Sequence, residues 1–337
     1  MGTVLQAIAA DSYPPRIRRC LKMVRCAMLF PGQGSHAVGM GKELALESRA
    51  AREVFEQVDD ALGFSLSSLM WDGPDEKLVL TEHAQPAIMA CSMAVLAMLR
   101  DELGKDPVGH CEILMGHSLG EYSAYCAAGS LRLAETATLL RTRGQAMQEA
   151  VPPGEGAMAA ILGMDTNVVE EVCVQASSIG TVVLANDNVE GQAVISGDRA
   201  AVEEASKLLS EKGAKRVVPL NVSAPFHSPL MKYATQVMSS ALREAHFVEP
   251  SKPVLCNVDV TPVLDRDIAV DCLTRQVEGR VRWRESIAWM QAHGITHCVE
   301  LGHGKVITSM VRRPMKDALC VNIQGKKDLD QLEGIFS

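Results

Sequence analysis

With 337 residues, 47% hydrophobic but only 4% aromatic, the chain can bury a large aliphatic core, in one domain or in one domain with an insert. Its formal charge of −8 argues against nucleic acid as the main partner, and no apolar run reaches the roughly 18 residues of a membrane span. The ten cysteines form no CxxC pair, and Cys91, Cys126, Cys173 and Cys298 fall within apolar runs, which suits buried thiols in a reducing compartment.

Residues 1–25 are a basic leader, with Arg16, Arg18, Arg19, Lys22 and Arg25 set against Asp11 alone. Such a segment is either a mitochondrial or plastid transit peptide or residues ahead of the domain proper in a cytoplasmic protein. Few serines and the Pro14-Pro15 break count against the transit peptide, and a disordered or weakly attached leader without a catalytic role is expected. Cys26 to Phe30 is strand-like and breaks sharply at Pro31-Gly32-Gln33-Gly34-Ser35. That glycine loop fits neither a P-loop nor GxGxxG, though its amides can serve an anion. Helical patterns fill 40–105, with an amphipathic helix at Ala50–Leu62 and a long apolar one at Ala84–Leu103 that holds Pro86 in its first turn.

The next apolar run, Ile113 to Met115, ends in Gly116-His117-Ser118-Leu119-Gly120, and a helical stretch follows from Glu121 to Ala128. Strand, Gly-x-Ser-x-Gly and helix is the sequence form of a nucleophile elbow, a turn too tight for side chains beside the serine. A helix at Ala134–Glu149 runs to Pro152-Pro153-Gly154, a breaker that marks a subdomain boundary.

Residues 153–223 then read strand (Ala157–Met164), helix (Thr166–Ser177), strand (Thr181–Ala185), strand (Gln192–Ser196), helix (capped by Asp198 and closed at Gly213) and strand (Lys215–Leu220). A loop containing Asn186, Asp187, Asn188 and Gly191 is expected between the middle strands. The order β-α-β-β-α-β is that of a ferredoxin-like unit. Alternating helices and strands resume from Pro229, ending in a strand at Thr296–Leu301, Gly302-His303-Gly304, a helix to Arg313, and a last strand and helix. The expected fold class is therefore α/β, with a mainly parallel sheet built from 26–152 and 224–337 and a small subdomain inserted at 153–223. His293 and His297 have metal-pair spacing, but Gly294 keeps them off one helix face, so no metal is expected.

A serine nucleophile needs a base. Of nine histidines, His117 adjoins Ser118 and points away from it, whereas His227 lies in the turn-rich Ser223-Ala224-Pro225-Phe226-His227-Ser228-Pro229, where a loop can reach back over the elbow. Spacing alone does not decide among them.

The combination of motifs does. Phe30 to Ser35, Gly116 to Tyr122, Arg143-Gly144 before Met147-Gln148, Pro225 to Ser228, Arg275-Gln276 ahead of Trp283, and Gly302 to Val306 together make the chain, from about Met28 onward, resemble the malonyl-CoA:acyl carrier protein transacylase family. The resemblance implies an α/β-hydrolase-like domain with a ferredoxin-like insert. It also implies transfer of a malonyl group from malonyl-CoA to the phosphopantetheine thiol of an acyl carrier protein, without a cofactor. By position it makes Ser118 the nucleophile, His227 the base, and Gln276 the residue whose main-chain carbonyl orients the histidine. The amides of Gln33 and Leu119 become the oxyanion hole and Arg143 the receptor for the malonyl carboxylate, with Asn188 and Phe226 lining the pocket. Leu119 and Phe226 resemble malonyl-selective members. His36 and His303 depart from the family pattern, outside the catalytic set. A serine esterase, which wants a carboxylate behind its histidine, and a non-catalytic carrier-protein binder are the competing readings. Lys212, Lys215, Arg216, Arg280, Arg282 and Arg284 are candidates for docking an acidic carrier.

Overall fold

The computed structural model describes residues 24–222 and 224–336. The expectation for the leader therefore lies outside the described residues except at Val24 and Arg25. The Arg25 backbone is already tied to the sheet, its N–H donating to Thr296 Oγ1 (2.9 Å) and its carbonyl accepting from His297 N (3.1 Å).

A six-stranded sheet forms the centre, in the order β10 (Leu319–Ile323), β9 (His297–Leu301), β1 (Cys26–Phe30), β2 (Cys111–Gly116), β7 (Val254–Leu255) and β8 (Pro262–Val263). All neighbours are parallel except β7 and β8. Both faces are covered, which is why β1 reads as an unbroken apolar run rather than an alternating one. Met28 and Phe30 enter the larger core with the helices Arg49–Leu62, Thr81–Leu103 and Leu133–Glu149, while Ala27 and Leu29 enter a second core against Trp283 and Ile307.

The helix Arg49–Leu62 starts where Ser48 Oγ accepts from Ala51 N and stops at Gly63 in the left-handed region (φ 71°); Ala51, Val54, Phe55 and Val58 form its buried stripe. The long helix begins at Thr81, one turn earlier than its apolar pattern suggests, so Pro86 lies in its second turn, not its first. It packs closely on Leu133–Glu149, because a Cβ on Gly144 would lie 2.5 Å from Glu82 Cα. That approach sets the neighbouring Arg143 against Gln85.

The second sheet is antiparallel, in the order β4 (Val182–Val189), β5 (Gln192–Asp198), β3 (Gly156–Leu162) and β6 (Arg216–Pro219). Ile161, Leu184 and Ile195 point into a core shared with Val169 and Val172 of the helix Thr166–Ala176 and with Val202 and Leu209 of Arg199–Glu211. The opposite face offers Met158, Ala160 and Val194 to the cavity above the elbow.

Two local readings need correction here. Asn186, Asp187 and Asn188 belong to β4 and are buried, not placed in a loop, and the turn is confined to Glu190-Gly191. Their polarity is satisfied by tertiary partners, since Arg284 pairs with Asp187 (2.8 Å) and Val281 exchanges backbone hydrogen bonds with the strand. Asp198 precedes its helix without capping it; its carboxylate accepts from Thr181 N at 2.6 Å. His293 ends the helix Trp283–Ala292 and His297 begins β9, so the two share no helix face. Of the nine described cysteines, eight are buried and all are free thiols. Among the described residues no helix is long and apolar enough to cross a membrane.

Candidate active site

The elbow is forced by close approach. A Cβ on Gly116 would lie 1.9 Å from Gly120 C, and one on Gly120 would lie 2.3 Å from Phe30 O. Between them Ser118 adopts φ 53°, a left-handed conformation that non-glycine residues rarely hold. Three hydrogen bonds from one residue fix this turn. Asn257, just past β7, accepts from Ser118 N (2.8 Å), donates through Nδ2 to Gly116 O (2.8 Å), and gives its own N–H to Glu121 Oε2 (3.1 Å).

His227 reaches the serine from the segment past the antiparallel sheet, also at positive φ (54°), with Nε2 2.7 Å from Ser118 Oγ. Its Nδ1 faces only carbonyl oxygens, Gln276 O at 2.9 Å and Gly279 O at 3.1 Å. Carbonyls accept and never donate, so Nδ1 carries the proton and Nε2 turns its lone pair to the serine hydroxyl. Burial, with the nearby Arg143 charge, pushes His227 down to about 3, which keeps the imidazole neutral.

Arg143 is 1% exposed. Its Nη1 donates to Gln85 Oε1 (2.9 Å), and its Nη2 to Gln276 Oε1 (2.9 Å) and Ser118 Oγ (3.3 Å). Nε has no partner among the described residues. Among the described residues no carboxylate touches the guanidinium. The neighbouring Glu121 is itself fully buried, and burial pushes its carboxyl up to about 8. Gln276 joins the parts: besides its two acceptor oxygens, its Nε2 donates to Ser118 O (2.9 Å) and Glu121 Oε2 (2.7 Å).

The glycine loop after β1 abuts the elbow, for a Cβ on Gly32 would lie 2.5 Å from His117 O. The backbone N–H groups of Gln33 and Leu119 make no hydrogen bond among the described residues. A cavity of about 360 Å³ opens above Ser118, lined by Gln33, His117, Asn188, Phe226 and His227 among others. His117 turns from the nucleophile to Asn188 Oδ1 (2.9 Å) and packs edge-on against Trp283.

The structure thus brings together Ser118, His227, Gln276, Gln33, Leu119, Arg143, Asn188 and Phe226. Sequence reading missed Asn257, Gln85, Glu121 and the Gly279 carbonyl. Gln85 left a signal, as a polar residue on an otherwise apolar helical stretch, and Glu121 stood unassigned within the Gly116 to Tyr122 motif; Asn257 and the Gly279 carbonyl left none. Of the six basic candidates, Lys212, Lys215 and Arg216 are exposed and appear in no ion pair among the described residues. Arg280, Arg282 and Arg284 are engaged by Glu170, Glu285 and Asp187.

The profile of the acyl transferase domain matches residues 27–333. The chain is 44% identical over 292 residues to the malonyl CoA-acyl carrier protein transacylase of Bacillus subtilis (strain 168), covering 86% of this chain and 90% of that one. It is 40% identical over 291 residues to the protein of the same name from Escherichia coli (strain K12), covering 86% and 93%. The crystal structure of the acyl-carrier-protein-S-malonyltransferase from Bartonella henselae superposes with a TM-score of 0.90 at 48% identity, over 93% of this chain and 99% of that one. A type II PKS acyl-carrier protein in complex with its malonyl-transacylase contains a chain that superposes at 0.87 with 35% identity, covering 93% and 99%. A match spanning nearly all of the described chain, with an intact serine elbow beneath it, places this protein in the acyl transferase domain family, among the malonyl CoA-acyl carrier protein transacylases.

Proposed function

We propose that this chain transfers the malonyl group of malonyl-CoA to the phosphopantetheine thiol of an acyl carrier protein, in two half-reactions through an ester on Ser118, supplying malonyl carrier protein for fatty acid synthesis. The observation that carries the reading is a nucleophile flanked on one side by a neutral base at 2.7 Å and on the other by a buried guanidinium at 3.3 Å. A hydrolase needs only the first. A guanidinium with no carboxylate in contact suits a donor that brings its own.

In the first half-reaction His227 Nε2 takes the Ser118 proton as Oγ attacks the thioester carbonyl. The oxyanion forms between the N–H groups of Gln33 and Leu119, preset donors whose individual loss typically costs about 3 kcal/mol in the barrier. The imidazolium is supported by the carbonyls of Gln276 and Gly279 in place of a carboxylate. It then protonates the departing coenzyme A sulfur. The second half-reaction reverses the roles, with the carrier's thiol giving its proton to His227 and attacking the ester. Arg143 holds the malonyl carboxylate throughout, while Asn188 and Phe226 wall the pocket. No cofactor enters the scheme.

In this reading residues 26–152 and 224–337 form an α/β-hydrolase-like domain and 153–223 a ferredoxin-like subdomain that roofs the site, with 1–25 outside the catalytic unit. The exposed Lys212, Lys215 and Arg216 are the better-placed carrier contacts, since the three arginines are already paired. The test is mass spectrometry of the protein after incubation with malonyl-CoA alone. One malonyl adduct is expected, stable to water and discharged by carrier protein, and absent in Ser118→Ala. An adduct on the alanine variant, or an ester that water clears as fast as it forms, would overturn the proposal.

A further inference from the structure

Two buried thiols stand beside the catalytic clamp and take no part in it. Cys256 immediately precedes Asn257, and Cys272 lies one helical turn before Gln276 on the helix Arg266–Gln276. Both are 0% exposed. Their sulfurs and an oxygen of Asp259 lie within 4.8 Å of one another. Cys272 Sγ is also 3.6 Å from Arg275 Nη2 and 3.8 Å from Asp259 Oδ2, and Cys256 Sγ is 3.5 Å from Thr261 Oγ1.

We propose that Cys256 and Cys272 are an oxidisable dithiol, which a hydroperoxide converts to a disulfide that disarms the active site. The consequence for turnover rests on the roles given above to Ser118, His227 and Gln276; the bond itself does not.

The surroundings favour this pair over the other close thiols. Cys26 and Cys111 stand 3.8 Å apart inside the apolar core, where the Cys111 hydrogen bond and burial push Cys26 up and away from the reactive thiolate. Cys298 and Cys320 also face each other, across β9 and β10, but their sulfurs turn to Met315 Sδ and the Ala318 carbonyl and adjoin no residue of the site. Around Cys256 the environment is polar. The hydrogen bond from Cys272 is the chief influence, and with the donors at Thr261 and Asp259 it brings Cys256 down to about 5. The cover is thin, because the Arg275–Asp259 ion pair beside Cys272 has side chains 44% and 43% exposed. Arg275 occupies both Asp259 oxygens (2.9 and 2.5 Å), so that carboxylate is not free to hold a cation.

The chemistry balances in two steps. The Cys256 thiolate attacks the peroxide O–O bond, giving a sulfenic acid and releasing hydroxide or alkoxide. Cys272 then attacks the sulfenic sulfur, the S–S bond forms, and water leaves with the Cys272 proton. The peroxide is reduced by two electrons and the dithiol oxidised by two. The sulfurs must close to about 2.05 Å. Closing that gap displaces Cys256, whose neighbour Asn257 holds Ser118 N and Gly116 O, against the helix whose last residue, Gln276, sets its carbonyl behind His227.

The experiment treats the full chain with hydrogen peroxide, blocks free thiols, and maps peptides without reduction beside a malonyl-transfer assay. We expect a Cys256–Cys272 peptide lighter by two hydrogens and a loss of kcat of roughly 10- to 100-fold, the scale of an ångström misplacement, both reversed by dithiothreitol. Cys272→Ser should give no cross-linked peptide and leave Cys256 trappable as the sulfenic acid. A disulfide elsewhere with this pair still reduced, or a mapped Cys256–Cys272 bond with unchanged turnover, overturns the proposal. The map needs no acyl substrate, so a failure here is distinguishable from a failure of the transferase assignment.

Discussion

Arg143→Ala is the sharpest test of donor choice. The guanidinium is 1% exposed, is held by two amide oxygens at 2.9 Å, and has no contacting carboxylate among the described residues. Glu121, pushed up to about 8 by burial, is largely neutral at pH 7 and compensates it poorly. A malonyl carboxylate would complete a buried ion pair, and removing one member of such a pair costs about 3–5 kcal/mol. At about 1.36 kcal/mol per decade this is roughly a 10²- to 10⁴-fold fall in kcat/KM for malonyl-CoA. Acetyl-CoA offers no carboxylate and must leave the arginine unpaired, so its transfer should persist or rise. The assay is kcat/KM for both donors in both proteins, with thermal melts to establish folding and Arg143→Lys as a second variant. Lysine keeps the charge but not the two-pronged geometry, so it should recover only part of the loss. An unchanged malonyl-to-acetyl ratio in a folded Arg143→Ala protein would refute the reasoning.

Four further outcomes follow from the site. With His227 lowered from 6.5 to about 3, kcat/KM should show no histidine limb near pH 6.5; a limb there would mean that the base is not desolvated. By linkage, the unfolded chain takes up this proton first, so the stability it contributes is full above pH 6.5 and lost as pH falls toward 3, which melts across that window should register. Asn257→Ala orphans the Ser118 N–H and the Gly116 carbonyl at about 1–3 kcal/mol each; it should lower both Tm and kcat, and an unaffected kcat would remove Asn257 from the elbow's support. Gly144→Ala drives a Cβ to 2.5 Å from Glu82 Cα, an overpacking of about 1–3 kcal/mol that should displace Arg143 and raise KM for malonyl-CoA more than for acetyl-CoA.

What the sequence revealed depended on how local each signal was. Gly116 announces the elbow because the steric demand that selects it lies within five residues, at Gly120 and Glu121, whereas Gly120 answers to the carbonyls of Phe30 and Pro31 at the end of the neighbouring strand and is legible only as part of the motif. The parallel core announced itself through apolar runs such as Cys26–Phe30. Asn186 to Asn188 misled because the same polarity marks a turn when solvated and a strand when Arg284, Val281 and His117 satisfy it. The pairing of Ser118 with His227 needed the resemblance, since they stand 109 positions apart and no period connects them. Gln276 too was marked only by the resemblance, and only for its carbonyl; the contacts of its side chain left no trace. Gln276 acts through both ends of its side chain and through its carbonyl, on partners as far as 158 residues away. Spacing and periodicity alone do not distinguish such a glutamine from a surface one.

The left-handed backbone at Ser118 and His227 (φ 53° and 54°) has a consequence for how this enzyme can decay. Each such residue costs the fold about 1–2 kcal/mol that glycine would not incur. Glycine at position 118 should therefore be thermodynamically welcome even as it ends catalysis. A lineage released from the need for turnover would lose its nucleophile downhill, retaining a more heat-resistant shell of the same shape. Only selection on the reaction itself opposes that drift, because stability and activity place opposite demands on the same residue.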